Sequence, residues 1–121
     1  MNKTVFVVDD SSSNLSLAEE ALEKNFEVIT FSSASKMFPV LKKVTPSLIL
    51  LDVEMPDKDG FEVLKQLKND DAHSKIPVLF LTALIDPANE AYGIDLGAAG
   101  YIRKPFTSSG LLEIVNKHTK N

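Results

Sequence analysis

The sequence predicts a doubly wound α/β fold, in which a parallel sheet of five strands lies between two layers of helices. Five short runs of apolar and β-branched residues occur along the chain, and a helical pattern follows each of them. The runs are mostly continuous, which is typical of strands buried on both faces. Right-handed crossovers place the intervening helices on both faces of such a sheet. A chain of 121 residues has the length of one domain, and we expect residues 1–121 to form it.

The first strand is followed by a pair of acids, and the first helix begins after them. Thr4–Val8 is β-branched and aromatic, which favours a strand, and it runs directly into Asp9 and Asp10. Ser11–Ser13 offer N-caps for the helix that follows. We expect this helix to end at Asn25 in the left-handed conformation.

The second unit contains a proline that constrains its helix. Phe26–Thr30 is predicted to be a short strand. Proline costs about 3 kcal/mol in a helix interior but little in the first turn, where its nitrogen has no intrahelical partner. We therefore expect Pro39 to lie in the first turn of a helix that begins near Lys36, after Ser35, and ends near Lys43.

The third unit places an acid at the end of the most apolar strand. Ser47–Leu51 is continuously apolar after its first residue, and Asp52 follows it. Residues 55–60 (MPDKDG) are typical of a turn. The next helix carries an apolar stripe at spacings of three, formed by Phe61, Leu64 and Leu67.

The fourth unit begins with Val78–Leu81, a strand that ends at Thr82. Asp86-Pro87 is a favourable helix start, and Gly97 is a favourable helix end. Gly93 lies inside the helix, where glycine costs about 1 kcal/mol relative to alanine, so we expect this helix to be the least rigid.

The fifth strand, Tyr101–Arg103, is followed by Lys104-Pro105. A final helix then presents an apolar stripe on one face, formed by Leu111, Leu112 and Val115. No apolar run approaches the roughly 20 residues of a membrane span, and the net charge of −4 gives no basic surface for nucleic acid. We expect a cytoplasmic protein that neither enters a membrane nor binds nucleic acid directly.

Reactive polar residues follow four of the five strands: Asp9 and Asp10, Asp52, Thr82, and Lys104. Parallel strands bring these ends to one edge of the sheet, where α/β proteins bind ligands. Each residue alone has an ordinary structural role, as a helix cap, an Asx turn or a solvated lysine. Their occurrence together at one edge favours a single site.

The chemistry of this residue set indicates phosphoryl transfer. Three neighbouring carboxylates repel one another unless a cation lies between them, and an all-oxygen site with room for water suits Mg²⁺, with Mn²⁺ as a substitute. Asp52 is then the nucleophile that becomes an aspartyl phosphate, while Lys104 and Thr82 contact the phosphoryl oxygens.

Four segments together resemble the receiver domains of bacterial response regulators, including chemotaxis regulators. They cover nearly the whole chain and are VFVVDDSSSNL, LILLDVEMPDKDG, VLFLTA and GAAGYIRKPF. The resemblance implies a flavodoxin-like three-layer sandwich with strand order 2-1-3-4-5. Gly93 departs from the family pattern, since it stands where another small helical residue is common.

The resemblance also assigns roles to individual residues. It implies metal ligation by Asp9, Asp10, Asp52 and the main-chain carbonyl of Glu54. It implies phosphoryl contacts from Thr82 and Lys104, a cis Lys104-Pro105 bond, and a switch formed by Thr82 and Tyr101. In that switch the Tyr101 ring moves inward from an exposed rotamer, and the inactive state is in excess without phosphate.

Under this interpretation the chain is a signalling module that catalyses only its own phosphorylation and dephosphorylation. Its expected partners are a histidine kinase or phosphotransfer protein, a downstream target or effector domain, and a second copy of the chain in a phosphorylation-dependent homodimer. Two alternatives stay open. A haloacid-dehalogenase-like phosphatase also uses Asp, Mg²⁺, Thr and Lys, although it places its nucleophile after the first strand. A flavodoxin-like FMN binder is the other, although Asp9 and Asp10 would repel its phosphate.

Overall fold

The computed structural model of the protein describes residues 3–55, 58–83 and 86–119, so residues 56 and 57 of the predicted turn lie outside it. Five strands form one parallel sheet in the order β2-β1-β3-β4-β5, which confirms the predicted topology. The strands are β1 (Thr4–Val8), β2 (Glu27–Phe31), β3 (Leu48–Asp52), β4 (Val78–Thr82) and β5 (Gly100–Arg103).

Helices alternate with the strands along the chain and cover both faces of the sheet. They are α1 (Ser12–Leu22), α2 (Ala34–Leu41), α3 (Gly60–Lys68), α4 (Pro87–Asp95) and α5 (Ser108–Thr119). Buried residues of α1 and α5 pack on one face, and those of α2 and α3 pack on the other, where α4 also lies. The predicted three-layer sandwich is confirmed.

The three central strands β1, β3 and β4 are mostly apolar because both of their faces are covered. In β1, Val5 and Val7 pack toward α1 and α5, whereas Phe6 and Val8 pack toward α2 and α3. All five residues of β3 are buried, including Asp52 at its end. This alternation explains why the apolar runs are continuous in the sequence.

The ends of α1 are partly as predicted. Ser11 is the N-cap, and its hydroxyl accepts a hydrogen bond from the N–H of Asn14. The prediction for Asn25 was wrong, because the helix ends at Leu22 with Glu23 as a right-handed C-cap. The N–H groups of Asn25 and Phe26 both bond to the carbonyl of Leu22, so the turn closes without a left-handed residue.

The predicted start of α2 was also wrong. The helix begins at Ala34 after the cap Ser33, so Pro39 lies inside it and not in its first turn. Ala34, Met37 and Leu41 form its buried face, at spacings of three and four residues that place them on one side of the helix. Burial of apolar side chains therefore outweighs the cost of the proline.

Asp59 caps α3 and Asp86 caps α4, and each side chain accepts a backbone N–H of the first turn. Gly97 follows α4 with a φ of 110°, a left-handed conformation that ends the helix as predicted. Within the described residues, no helix has the length and apolar character needed to cross a membrane.

Candidate functional site

The acid pair follows β1 and begins the site. Asp9 is completely buried, and its Oδ1 accepts the N–H of Ser11 at 2.9 Å. Its Oδ2 lies 3.4 Å from Nδ2 of Asn14, in the first turn of α1. Asp10 is exposed beside it. The start of α1 therefore fixes Asp9 while Asp10 faces solvent.

Asp52 ends β3, next to β1 in the sheet, and is 4% exposed. Its Oδ1 accepts the N–H of Glu54 at 3.2 Å. Behind it, α3 approaches so closely that a Cβ on Gly60 would lie 2.4 Å from the carbonyl oxygen of Asp52. The N–H of Gly60 donates to the carbonyl of Val53 at 2.8 Å. Glycine is required here because the helix start packs directly on the strand end.

Lys104 follows β5 and reaches both buried acids. Its Nζ lies 2.8 Å from Oδ2 of Asp9 and 3.3 Å from Oδ2 of Asp52. Its N–H donates to the carbonyl of Thr82 at 3.0 Å, and the Lys104-Pro105 bond is cis, as the resemblance implies. The lysine therefore acts as the counter-ion of the acid site.

Burial raises the pKa of Asp52 to about 6, and the charge of Asp9 adds to this increase. Lys104 and the N–H of Glu54 oppose it. Burial works to lower the pKa of Lys104, but its hydrogen bonds and charge interactions with Asp9 and Asp52 outweigh burial and raise it. Asp52 is thus predominantly ionised at neutral pH, and Lys104 is cationic.

Carboxylate oxygens of Asp9, Asp10 and Asp52 lie within 4.8 Å of one another. Oxygen donors in this number, with one acid open to solvent, fit a hard divalent cation that keeps several waters. Glu54 and Asp10 also line one cleft of about 650 Å³, together with Val53, Met55, Asp59, Phe61 and Asn89. The cleft gives access to the acid site from the side of α3 and α4.

Thr82 ends β4 next to β3 and is 1% exposed. Tyr101, in β5, lies away from the acids, in contact with α4. Its hydroxyl donates to the carbonyl of Asn89 at 2.8 Å, and its ring centroid is 5.3 Å from that of Phe80. Sequence reasoning missed Asn14 and Asn89. Asn14 could have been found, because it lies one helical turn after Asp10; Asn89 contacts Tyr101 through its backbone, which carries no sequence signal.

Residues 5–116 match the family model described as "Response regulator receiver domain". The chain is 33% identical over 118 residues to a protein of Vibrio cholerae named "Probable cyclic di-GMP phosphodiesterase", covering 98% of this chain and 27% of that protein. It is 39% identical over 108 residues to the alkaline phosphatase synthesis transcriptional regulatory protein PhoP of Bacillus subtilis, covering 88% of this chain and 44% of that one. It thus spans less than half of each relative.

A solved structure shares the whole fold. The chemotaxis protein CheY4 of Vibrio cholerae superposes with a TM-score of 0.91 at 29% identity, over 97% of this chain and 98% of that one.

Proposed function

Because the chain belongs to the response regulator receiver domain family, we propose that it accepts a phosphoryl group on Asp52 from the phosphohistidine of a partner protein. The observation that carries this proposal is the arrangement of Asp9, Asp52 and Lys104, in which one lysine pairs with two buried acids. Lys104 can hold a phosphoryl oxygen while Asp52 carries the group.

An ionised Oδ of Asp52 attacks phosphorus, the bond from phosphorus to the donor imidazole nitrogen breaks, and the imidazole leaves with the bonding electron pair. The product is an aspartyl phosphate, and hydrolysis later restores the carboxylate. A pKa of about 6 leaves Asp52 ionised at pH 7, as this attack requires. Lys104 offsets negative charge on the phosphoryl oxygens, and Thr82 contacts another oxygen.

Asp9, Asp10 and Asp52, with the carbonyl of Glu54, would hold Mg²⁺ or Mn²⁺. When bound, the cation supplies positive charge against the three phosphoryl oxygens. The acids fit this role because their carboxylate oxygens lie close together, and because Asp10 is exposed, so that water can reach a bound cation.

The domain turns over no separate substrate and changes only its own phosphorylation state. The family match does not support the haloacid-dehalogenase alternative. Two acids at the end of β1 also disfavour a flavin phosphate there.

The proposed function requires two kinds of partner. A histidine kinase or phosphotransfer protein donates the phosphoryl group, and an effector domain or separate target responds to the phosphorylated state. A phosphorylation-dependent homodimer through the α4–β5–α5 face is a further form of output. We place the protein in the cytoplasm, where such donors are found.

The test is incubation with a small acyl phosphate and Mg²⁺, followed by intact-mass measurement. Wild-type protein should gain one phosphoryl group, and Asp52→Asn should gain none. Asp59→Asn is the matched control, because asparagine caps a helix as well as aspartate and this side chain lies in the same cleft. Phosphorylation of Asp52→Asn to the wild-type extent would refute the assignment.

A further inference from the structure

The Tyr101 ring lies against the inner face of α4. Its hydroxyl bonds to the carbonyl of Asn89, and its ring packs on Phe80, whose ring in turn contacts Phe61 on α3. Asn89 and Gly93 are four residues apart on α4 and therefore lie one above the other on the same face of the helix. The ring is thus held between one strand and one turn of one helix.

Gly93 provides the space that this ring occupies. A Cβ built on Gly93 would lie 2.0 Å from the Tyr101 hydroxyl oxygen and 2.9 Å from its Cζ. Gly93 is buried and lies within a regular helical segment, where glycine lowers helix propensity more than any residue except proline. The glycine therefore weakens the helix but leaves space for the Tyr101 ring.

We propose that Gly93 forms a slot that sets the resting position of Tyr101, so that the ring is already inward before Asp52 is phosphorylated. The contacts that hold the ring come from the backbone of α4 and from Phe80, and neither belongs to the acid site. The resting α4–β5–α5 surface then has its inward-tyrosine form. This differs from the expectation that an outward, inactive rotamer is in excess. Only the link to phosphorylation rests on the proposed function; the slot itself does not.

The first test measures the ring position in metal-free, unphosphorylated protein by NMR. Ring centroids 5.3 Å apart should give a nuclear Overhauser effect between Tyr101 and Phe80 in the wild type. Gly93→Ala should abolish it and expose the ring, and it should lower the Tyr101 pKa, which burial now raises above 10.0. Ile94→Ala is the matched control on the same helix, because Ile94 is 47% exposed, and it should leave the signal unchanged.

A second variant tests whether the steric contact is the cause. Tyr101→Phe removes the hydroxyl oxygen that clashes most closely but keeps Cζ, which lies 2.9 Å from the added Cβ, so Gly93→Ala combined with Tyr101→Phe should regain the ring contact with Phe80 in part. If Gly93→Ala does not fold, the double variant should restore folding. A double variant that recovers neither the contact nor the fold overturns the slot, as does a Gly93→Ala protein that keeps the Tyr101–Phe80 effect.

A third measurement separates this inference from the proposed function. Beryllofluoride with Mg²⁺ should shift resonances around Asp52 in wild-type protein while the Tyr101–Phe80 effect changes little. If that effect appears only after beryllofluoride binds, the slot is wrong and the proposed function stands. If beryllofluoride does not bind, the proposed function fails, and the ring position in the free protein still decides the slot.

Discussion

The two faces of the sheet are covered by helices of different character. The buried cluster beneath α1 and α5 is almost entirely aliphatic, and Phe26 is its one buried ring among the described residues. The cluster beneath α2, α3 and α4 contains four buried rings, Phe6, Phe31, Phe61 and Phe80, with Tyr101 packed against them. Branched aliphatic side chains interlock in few arrangements, whereas a ring at the edge of a cluster can turn in or out as a unit.

The helices show the same difference in their backbones. The α1 helix contains neither glycine nor proline, and the glycine of α5, Gly110, lies in the first turn of that helix. On the other face, Pro39 lies inside α2 and Gly93 lies inside α4, both at positions unfavourable for a helix. We therefore expect the α1–α5 face to be the more rigid support of the sheet and the α2–α4 face to be the one whose side chains rearrange.

The largest effect should follow from damage to the more rigid support. Leu111→Ala removes a completely buried side chain of α5 and should lower the free energy of unfolding by about 2–5 kcal/mol, measured by urea denaturation. The Tyr101–Phe80 contact on the opposite face should persist in the folded variant. Leu112→Ala, at the half-buried neighbouring position, is the control and should cost less. Loss of the ring contact in Leu111→Ala would break the comparison, because the two faces would then be coupled.

The second prediction concerns the strand end between the two faces. The pKa of Asp52 is raised from 3.8 to about 6, so the folded state favours the protonated form. The stability that this provides is fully present below pH 3.8 and is lost as the pH rises to about 6. At pH 7 without metal, Asp52→Asn should therefore be more stable than the wild type, by about 3 kcal/mol for a shift of about two units.

Urea denaturation in EDTA from pH 3.5 to 7.5 measures this difference, which should disappear toward the acid end. The Tyr101–Phe80 ring contact should remain unchanged, which would show that ionisation at the acid edge does not alter the packing on that face. A pH-independent difference between Asp52→Asn and wild type would contradict the raised pKa.

The smallest effect should come from relieving α2. Proline costs about 3 kcal/mol in a helix interior. Alanine gives the unfolded chain more conformational freedom, which favours unfolding by up to about 1 kcal/mol. Pro39→Ala should therefore raise the free energy of unfolding by about 2 kcal/mol. Pro39 is exposed, so its replacement removes little packing. Thermal denaturation checks this, with alanine at the neighbouring exposed Lys36 as the control. No gain in Pro39→Ala would show that α2 already accommodates its proline, and the backbone contrast between the faces would weaken.

The sequence allowed the sheet and the residues at its edge to be predicted, because those depend on local patterns. Each strand is a short run rich in apolar and β-branched residues, and the order of polar residues after the runs placed Asp9, Asp52 and Lys104 at one edge. The start of α2 was mispredicted because burial of Ala34 and Met37 overrode the local preference of Pro39. The Tyr101 position was equally out of reach, since it depends on a separation between α4 and β5 that no local pattern encodes.

The bridge from Lys104 to Asp9 has a consequence for how the chain folds. The two residues directly follow the last and the first strand in sequence, and Asp52 lies near the middle of the chain. A contact between residues so far apart in sequence carries the entropic cost of closing the long loop between them. During synthesis from the N-terminus, Asp9 and Asp52 therefore lack their counter-ion, Lys104, until the final strand has been made. The ion pairs of Lys104 with Asp9 and Asp52 therefore form only when the chain is folded through β5, and a fragment that ends before β5 lacks them.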